Sequence, residues 1–288
     1  MRGKIIKGIG GFYYVKTSDG SVIECKARGV FRKDNIKPYI GDDVEISVNA
    51  GKGTIEKISE RRNMLIRPPV ANIDILLVVV STKDPGPDTV FIDKLLVSAE
   101  FAGIKPILCI NKTDLSDGVE LTQIYENAGY DVLPVSAKNN DGIEKILPLI
   151  KGKTSAVAGF SGVGKSTILS ILTGEDKETG DISKKIKRGR HTTRCVELLE
   201  LTAGGYVLDT PGFSSFEITG IRPEEIAECF PEMRNLGELC RFKGCSHIDE
   251  PDCAVKEKVF SGEISESRYE SYKIFYKKTK EVKEWGKK

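Results

Sequence analysis

Residues 159–166 read GFSGVGKS and stand between a short apolar run at 155–158 and a helical pattern at 167–172. Gly159, Gly162 and Gly164 let the backbone fold into a nest with Phe160, Ser161 and Val163. Its amides, with the following helix N-terminus, point at phosphate oxygens. Lys165 supplies a point charge for the β- and γ-phosphates and Ser166 a hydroxyl ligand for Mg²⁺, and Thr167 completes the phosphate-binding set. The alternative is a chance match in a glycine-containing turn, and the strand–loop–helix context argues against it. The chemistry is that of a nucleoside triphosphate.

The base is addressed elsewhere. A short strand pattern at 107–110 ends in Asn111-Lys112-Thr113-Asp114. A carboxylate at Asp114 accepts two hydrogen bonds from the N1 and N2 donors of guanine, a donor pair that adenine lacks. Asn111 supports the base and its loop, and the Lys112 stem covers the ring face. A second unit at 131–135 runs into Ser136-Ala137-Lys138, where a backbone amide can meet the guanine O6. After the phosphate loop, strand patterns at 196–201 and 206–208 deliver Asp209-Thr210-Pro211-Gly212. Asp209 is placed to hold Mg²⁺ through water and the Gly212 amide to touch the γ-phosphate. Four elements suit one ligand, GTP, with GDP as its product.

The order of these elements is a circular permutation, because the base motifs precede the phosphate loop instead of following DTPG. Between that loop and DTPG lies the basic stretch 180–194, GDISKKIKRGRHTTR, expected to be a mobile loop. Thr193, or else Thr192, can complete the Mg²⁺ shell there. Phe213 occupies the position where many GTPases carry a water-orienting glutamine. Hydrolysis therefore needs another group, either His191 or one supplied in trans, and Lys165, His191 and Gly212 form the catalytic set. For His191 the plain alternative is a solvent-facing loop histidine.

A second donor cluster follows. Cys240-x₄-Cys245-x-His247-x₅-Cys253 offers three thiolates and one imidazole, which suits one structural, tetrahedral zinc ion with no open position. The spacing is not that of a common finger, and buried cysteines beside a surface histidine are the alternative. Seven cysteines, an odd and uneven set, fit a reduced cytoplasmic protein better than a disulfide scaffold.

The elements that must position these groups fall into three domains in 288 residues. Residues 1–65 show strand runs at 11–17, 21–27, 43–48 and 54–58 with turns between. They predict an OB-like β-barrel, with an SH3-like barrel as the other option. Phe12, Tyr13, Tyr14 and Phe31, with Lys16, Lys26, Arg28, Arg32 and Lys33, can stack on bases and track an RNA backbone, or else serve as core and ordinary surface. Residues 66–220 alternate strands and helices, including an apolar strand at 73–80 and an amphipathic helix at 88–101, as a mostly parallel α/β sheet does. Residues 221–288 carry the cysteine cluster and a lysine-rich, mostly helical end, where Tyr269, Tyr272, Phe275 and Tyr276 form a stripe that docks the helix. The net charge of +2 names no partner by itself, and no apolar run reaches bilayer length.

The combination of barrel, NKTD, SAK, GFSGVGKS, HTT, DTPG and the cysteine cluster resembles the ribosome small-subunit-dependent GTPase A family (the RsgA/YjeQ circularly permuted GTPases) over essentially the whole chain. The resemblance implies an OB-fold domain, a permuted P-loop GTPase domain and a C-terminal zinc domain. It also implies a bacterial cytoplasmic factor, expected as a monomer away from membranes. Such a factor binds the small ribosomal subunit and its rRNA late in assembly, and its hydrolysis is stimulated by that subunit. The family's variable N-terminal extension is short here. The alternatives are a regulatory GTPase acting on another RNA or protein partner, and a nucleic-acid-binding module with a relic nucleotide site.

Overall fold

The computed structural model describes the chain apart from residues 30, 32–35, 50, 66–67, 175–195, 210–219 and 286–288, and only the backbone of 209 and 282–285. It divides into two units. One is Met1–Ile75 with Ile146–Val157 and Ser166–Phe213; the other is Leu76–Lys145 with Ala158–Lys165 and Ser214–Lys288.

The first unit begins with β1 (Arg2–Ile9), β2 (Phe12–Thr17), β3 (Val22–Ala27), β4 (Asp43–Asn49) and β5 (Lys52–Ile58). Neighbours β1–β2, β2–β3 and β4–β5 are antiparallel, β3 runs parallel to β5, and β1 closes the ring on β4. This five-stranded ring is the OB arrangement and sets the SH3-like option aside. Ile5, Val15, Cys25, Val44, Ile46 and Ile55 point inward and are buried, and burial pushes the Cys25 thiol up.

The sequence pattern starts the strands only at residue 11, whereas β1 already forms at Arg2. Alternation there is hidden by a bulge between Ile5 and Lys7 and by lysines that find partners across the sheet. Lys4 pairs with Asp43 (2.9 Å) and Lys7 with Glu197 (2.8 Å). Phe31 is largely buried in the barrel and lies at the base of a cleft that it lines with Phe12 and Tyr13. Lys16 and Arg28 are engaged by Glu200 and Glu56. Arg32 and Lys33 lie outside the described residues.

A short hairpin, β6 (Met64–Leu65) and β7 (Val70–Ala71), follows the barrel. The junction is clamped by Asp42, whose side chain is fully buried. Its carboxylate accepts from Arg61 Nε (2.7 Å), Arg61 Nη2 (2.8 Å) and the Tyr39 amide (2.7 Å). The guanidinium lies over the Tyr39 ring at 4.4 Å. The unit is completed by α3 (Ile146–Ile150), β11 (Thr154–Ala158), α4 (Lys165–Thr173), β12 (Glu197–Glu200) and β13 (Tyr206–Asp209). β11 and β13 are parallel, β12 returns antiparallel to β13, and β12 meets β1 through Lys7 and Glu197. The barrel thus continues the sheet edge.

In the second unit, β8 (Ile75–Ser81), β9 (Lys105–Asn111) and β10 (Asp131–Pro134) lie in the order β10-β9-β8, with β9 and β10 parallel. All of β8 is buried, as its apolar run predicts. Two helices intervene, α1 (Thr89–Phe101) and α2 (Val119–Asn127). Asp88 caps α1 by accepting from the Phe91 amide (3.0 Å), and Gly103 ends it in the left-handed region.

The sequence predicts α1 to be amphipathic, but it is buried on two faces. Ile92, Asp93 and the run from Leu95 to Ala99 are all covered. The second cover is the C-terminal segment, with 3-10 turns at Pro223–Glu225, Ala227–Cys229 and Leu236–Leu239, then α5 (Ala254–Phe260) and α6 (Glu266–Trp285). Tyr269, Tyr272 and Phe275 are buried in its core with Val97, Phe230 and Met233, so the aromatic stripe docks the helix.

Removing the buried carboxylate in Asp42→Ala should lower the unfolding free energy in urea by about 3 kcal/mol, because Arg61 is left unpaired. Asp43→Ala, whose pair with Lys4 is half exposed, should cost under about 1 kcal/mol.

Candidate functional site

Three loops at the strand ends of the second unit meet on one side chain. Asn111 closes β9 and is buried. Its amide Nδ2 donates to the Val163 carbonyl (2.8 Å) in the phosphate loop, and its Oδ1 accepts from the Ala137 amide (2.9 Å) in SAK. One carboxamide thus latches the 111–114, 136–138 and 159–165 loops together. Asp114 accepts from Ser136 Oγ (2.7 Å), and Lys138 Nζ lies 3.9 Å from its other oxygen. The Asp114 side chain keeps 13% of its surface exposed.

Lys112 sits at φ 65, a left-handed conformation unusual for a side chain of this size. Two contacts hold it: Thr82 Oγ1 donates to its carbonyl (2.7 Å), and its own Nζ donates to the Asp84 carbonyl. Thr113 donates its amide to the Val135 carbonyl (3.2 Å), tying the base loop to the end of the next strand.

In the phosphate loop, Gly159 has φ 145, and a Cβ there would lie 2.1 Å from the Val79 carbonyl oxygen. Gly164 has φ 99, and its Cβ would lie 2.2 Å from Asn111 Nδ2. Both glycines are required by close approach as well as by conformation. Lys165 donates from Nζ to the carbonyls of Gly159 (2.9 Å) and Phe160 (2.5 Å), and burial lowers its pKa. An ammonium has three protons, so one remains for a phosphate oxygen. Phe160 stacks on Phe91 of α1, with centroids 3.7 Å apart. Ser161 and Gly162 are exposed and Val163 is buried.

Ser166 and Thr167 stand in the first turn of α4, with Ser166 exposed; these two and the end of β13 at Asp209 belong to the first unit. Of Asp209 only the backbone is described. His191, Thr192, Thr193, Gly212 and Phe213 lie outside the described residues.

The predicted metal ligands come together. The donor atoms of Cys240, Cys245, His247 and Cys253 all lie within 4.8 Å of one another. Cys240 follows the 3-10 turn Leu236–Leu239, Cys253 caps α5, and His247 turns at φ 57 between them. Cys240 Sγ is 3.9 Å from Cys253 Sγ, and His247 Nδ1 is 3.5 and 3.3 Å from these two sulfurs. Tetrahedral zinc with bonds of about 2.3 Å to sulfur and about 2.0 Å to nitrogen requires edges of about 3.8 and 3.5 Å, which the three distances among Cys240, His247 Nδ1 and Cys253 match closely.

Burial pushes Cys245 up to about 12 and lowers His247. The neutral imidazole is the ligating form, while the thiols need a cation beside them to ionise. The knuckle is held from outside. Tyr269 and Tyr272 donate their hydroxyls to the His247 (2.7 Å) and Ser246 (2.6 Å) carbonyls. Glu250 accepts from the Ser246 amide (2.7 Å), and hydrogen bonds hold its carboxyl, against burial, at about 2.

Sequence reasoning did not single out Phe91, Thr82 or Arg268. Nothing in their local spacing marks them, because each acts through a partner distant in the chain.

Family models match most of the chain: the RsgA N-terminal domain over residues 2–55 and the RsgA GTPase over residues 58–219. The chain belongs to the RsgA GTPase family. A relative from Agathobacter rectalis, named small ribosomal subunit biogenesis GTPase RsgA, is 45% identical over 297 residues, covering 97% of this chain and 98% of that protein. One of the same name from Ruminiclostridium cellulolyticum is 47% identical over 296 residues, covering 99% and 96%. Among solved structures, YloQ, described as a circularly permuted GTPase, superposes with a TM-score of 0.82 at 41% identity, covering 98% of this chain and 95% of that one. YjeQ from Thermotoga maritima gives 0.84 at 40%, covering 96% and 98%. The RsgA-family chain described here has the same permuted fold: OB barrel, GTPase domain and a helical C-terminal segment that can bind zinc. Among the described residues no helix is long and apolar enough to cross a membrane.

The Asn111 latch makes a direct prediction. Gly164→Ala should lower stability by about 2 kcal/mol or more in thermal unfolding, since the new methyl displaces the Asn111 amide and strains the backbone. Gly86→Ala in the same unit, with open space around it and ordinary φ, should leave the melting temperature unchanged.

Proposed function

We propose that this chain hydrolyses GTP as a late-stage biogenesis factor of the small ribosomal subunit and binds its rRNA. The observation that carries the reading is the Asn111 latch, which joins NKTD, SAK and the phosphate loop into one nucleotide-binding junction. That junction stands in a chain 45% identical over its length to a small ribosomal subunit biogenesis GTPase.

The proposed domains are residues 1–65 for RNA contact, 66–220 for GTP and 221–288 for zinc and docking. Asp114 takes the guanine N1 and N2 donors, and an amide of 136–138 meets O6. Residues 159–167 cradle the phosphates, with Lys165 between the β and γ groups. Mg²⁺, held by Ser166, Thr193 and Asp209, neutralises charge on the phosphate oxygens when bound. Phe213 offers no polar atom for the attacking water, so His191 or a group from the partner orients it, and Gly212 donates to the γ-phosphate. The intrinsic rate is slow for that reason. Zinc held by Cys240, Cys245, His247 and Cys253 stabilises a segment too loop-rich to rely on its own core.

For RNA the barrel offers a cleft of about 520 Å³ lined by Gly10, Phe12, Tyr13, Lys26 and Lys37, among others. Lys26 Nζ lies over the Phe12 ring at 4.9 Å, a cation beside an aromatic face of the kind that receives bases and phosphates.

The test is GTP hydrolysis by the pure chain, alone and with purified small ribosomal subunits. Stimulation of at least about 100-fold is expected if the partner completes the site. Turnover indifferent to subunits would keep the GTPase and redirect the search to another RNA or protein partner. Asp114→Asn should shift preference from GTP toward xanthosine triphosphate in competition binding, and an unchanged preference for GTP would contradict the base assignment.

A further inference from the structure

The C-terminal segment meets α1 through a side chain that is costly to bury. Arg268, on α6, is fully buried. Its Nη1 donates to Asp93 on α1 (2.5 Å), while Nε and Nη2 grip both oxygens of Glu232 (2.7 and 3.1 Å). The guanidinium lies 4.6 Å from the Phe230 ring centroid and 5.5 and 5.3 Å from those of Tyr125 and Tyr130. Tyr125 also donates its hydroxyl to Asp93 (2.8 Å). An apolar pair would dock two helices without burying a charge; the ionic network fixes one geometry.

The same N-terminal part of α1 touches the nucleotide loops. Phe91, two residues before Asp93, stacks on Phe160 of the phosphate loop. The approach to α1 is pinned as well. Ser81 Oγ donates to the Pro85 carbonyl (2.7 Å), Lys112 Nζ donates to the Asp84 carbonyl, and a Cβ on Gly162 would lie 3.6 Å from Pro85 Cδ. Phe160 in turn offers its carbonyl to Lys165. A contiguous chain of contacts therefore runs Lys165–Phe160–Phe91–Asp93–Arg268. Its central link is one helix, where two residues advance only about 3 Å, so a shift at Asp93 moves Phe91 with it.

We propose that α1 couples the phosphate loop to the zinc-cluster segment, with Arg268 a positioning residue that sets Phe160, and through it Lys165, from the far side of the helix. The coupling is reciprocal: whatever holds the C-terminal segment in place favours nucleotide, and nucleotide favours that placement. It rests on the nucleotide reading above.

The experiment uses the full chain and a non-hydrolysable GTP analogue at saturation, with amide deuterium exchange of α6 and analogue affinity as readouts. In the unmodified chain the analogue should slow α6 exchange. In Phe91→Leu, which alters a half-buried ring and leaves Arg268 intact, the analogue should bind and the slowing should disappear. Arg268→Lys, which keeps the charge and loses the fork, should weaken analogue binding by at least about fivefold. The same change in a Phe91→Leu background should add little.

Exchange in α6 indifferent to bound analogue would overturn the proposal. So would a folded Arg268→Lys chain with a lower melting temperature and unchanged affinity, the signature of docking alone. If Arg268→Lys does not fold, the Phe91→Leu exchange comparison decides. Failure of the unmodified chain to bind any GTP analogue would bring down the nucleotide reading and this inference with it.

Discussion

A single buried carboxamide holds the loops at 111–114, 136–138 and 159–165 in register. Asn111 spends both of its hydrogen-bonding functions on backbone groups, a carbonyl at Val163 and an amide at Ala137. A buried amide that met only one of these would be strongly penalised, so the two loops are fixed together or not at all. The close approach of Gly164 follows from that position, since a Cβ there would meet the Asn111 amide. Permutation of the chain order leaves the latch intact, because hydrogen bonds depend on where strands end and not on which strand comes first.

The two flanking modules are each held by a different set of contacts. In the first unit the barrel joins β12 through strand pairing and the Lys7–Glu197 and Lys16–Glu200 ion pairs. These surface pairs contribute little energy but fix alignment. In the second unit the C-terminal segment rests on α1 through an aromatic core and the Arg268 network. Two carboxylates and three rings around one guanidinium demand a particular placement.

Charge is distributed with the same economy. Among the described residues, several basic side chains that look available for an RNA backbone are engaged by acids, Lys16, Arg28 and Arg241 among them. Among the described residues, the barrel carries a cleft beside Phe12, Tyr13, Lys26 and Lys37. The total of 44 basic and 42 acidic residues is nearly balanced, so net charge names no partner.

Chemistry carried by contiguous residues was legible in the sequence. Glycines and Lys165 define a phosphate loop locally, Asn111 to Asp114 define a base loop, and three cysteines with one histidine define a metal knuckle within one short stretch. Period and turn residues likewise gave the barrel and the alternating strands. The tertiary structure decided which side chains are covered and which distant groups meet. Phe31 became largely buried while Phe12 kept a face outward, β1 formed despite its masked alternation, and α1 lost its polar face to α6. Asn111 found a carbonyl 52 residues away, and Arg268 a carboxylate 175 residues away. Residue type sets what a group can bond to, but burial and long-range pairing depend on neighbours that exist only once the chain has folded.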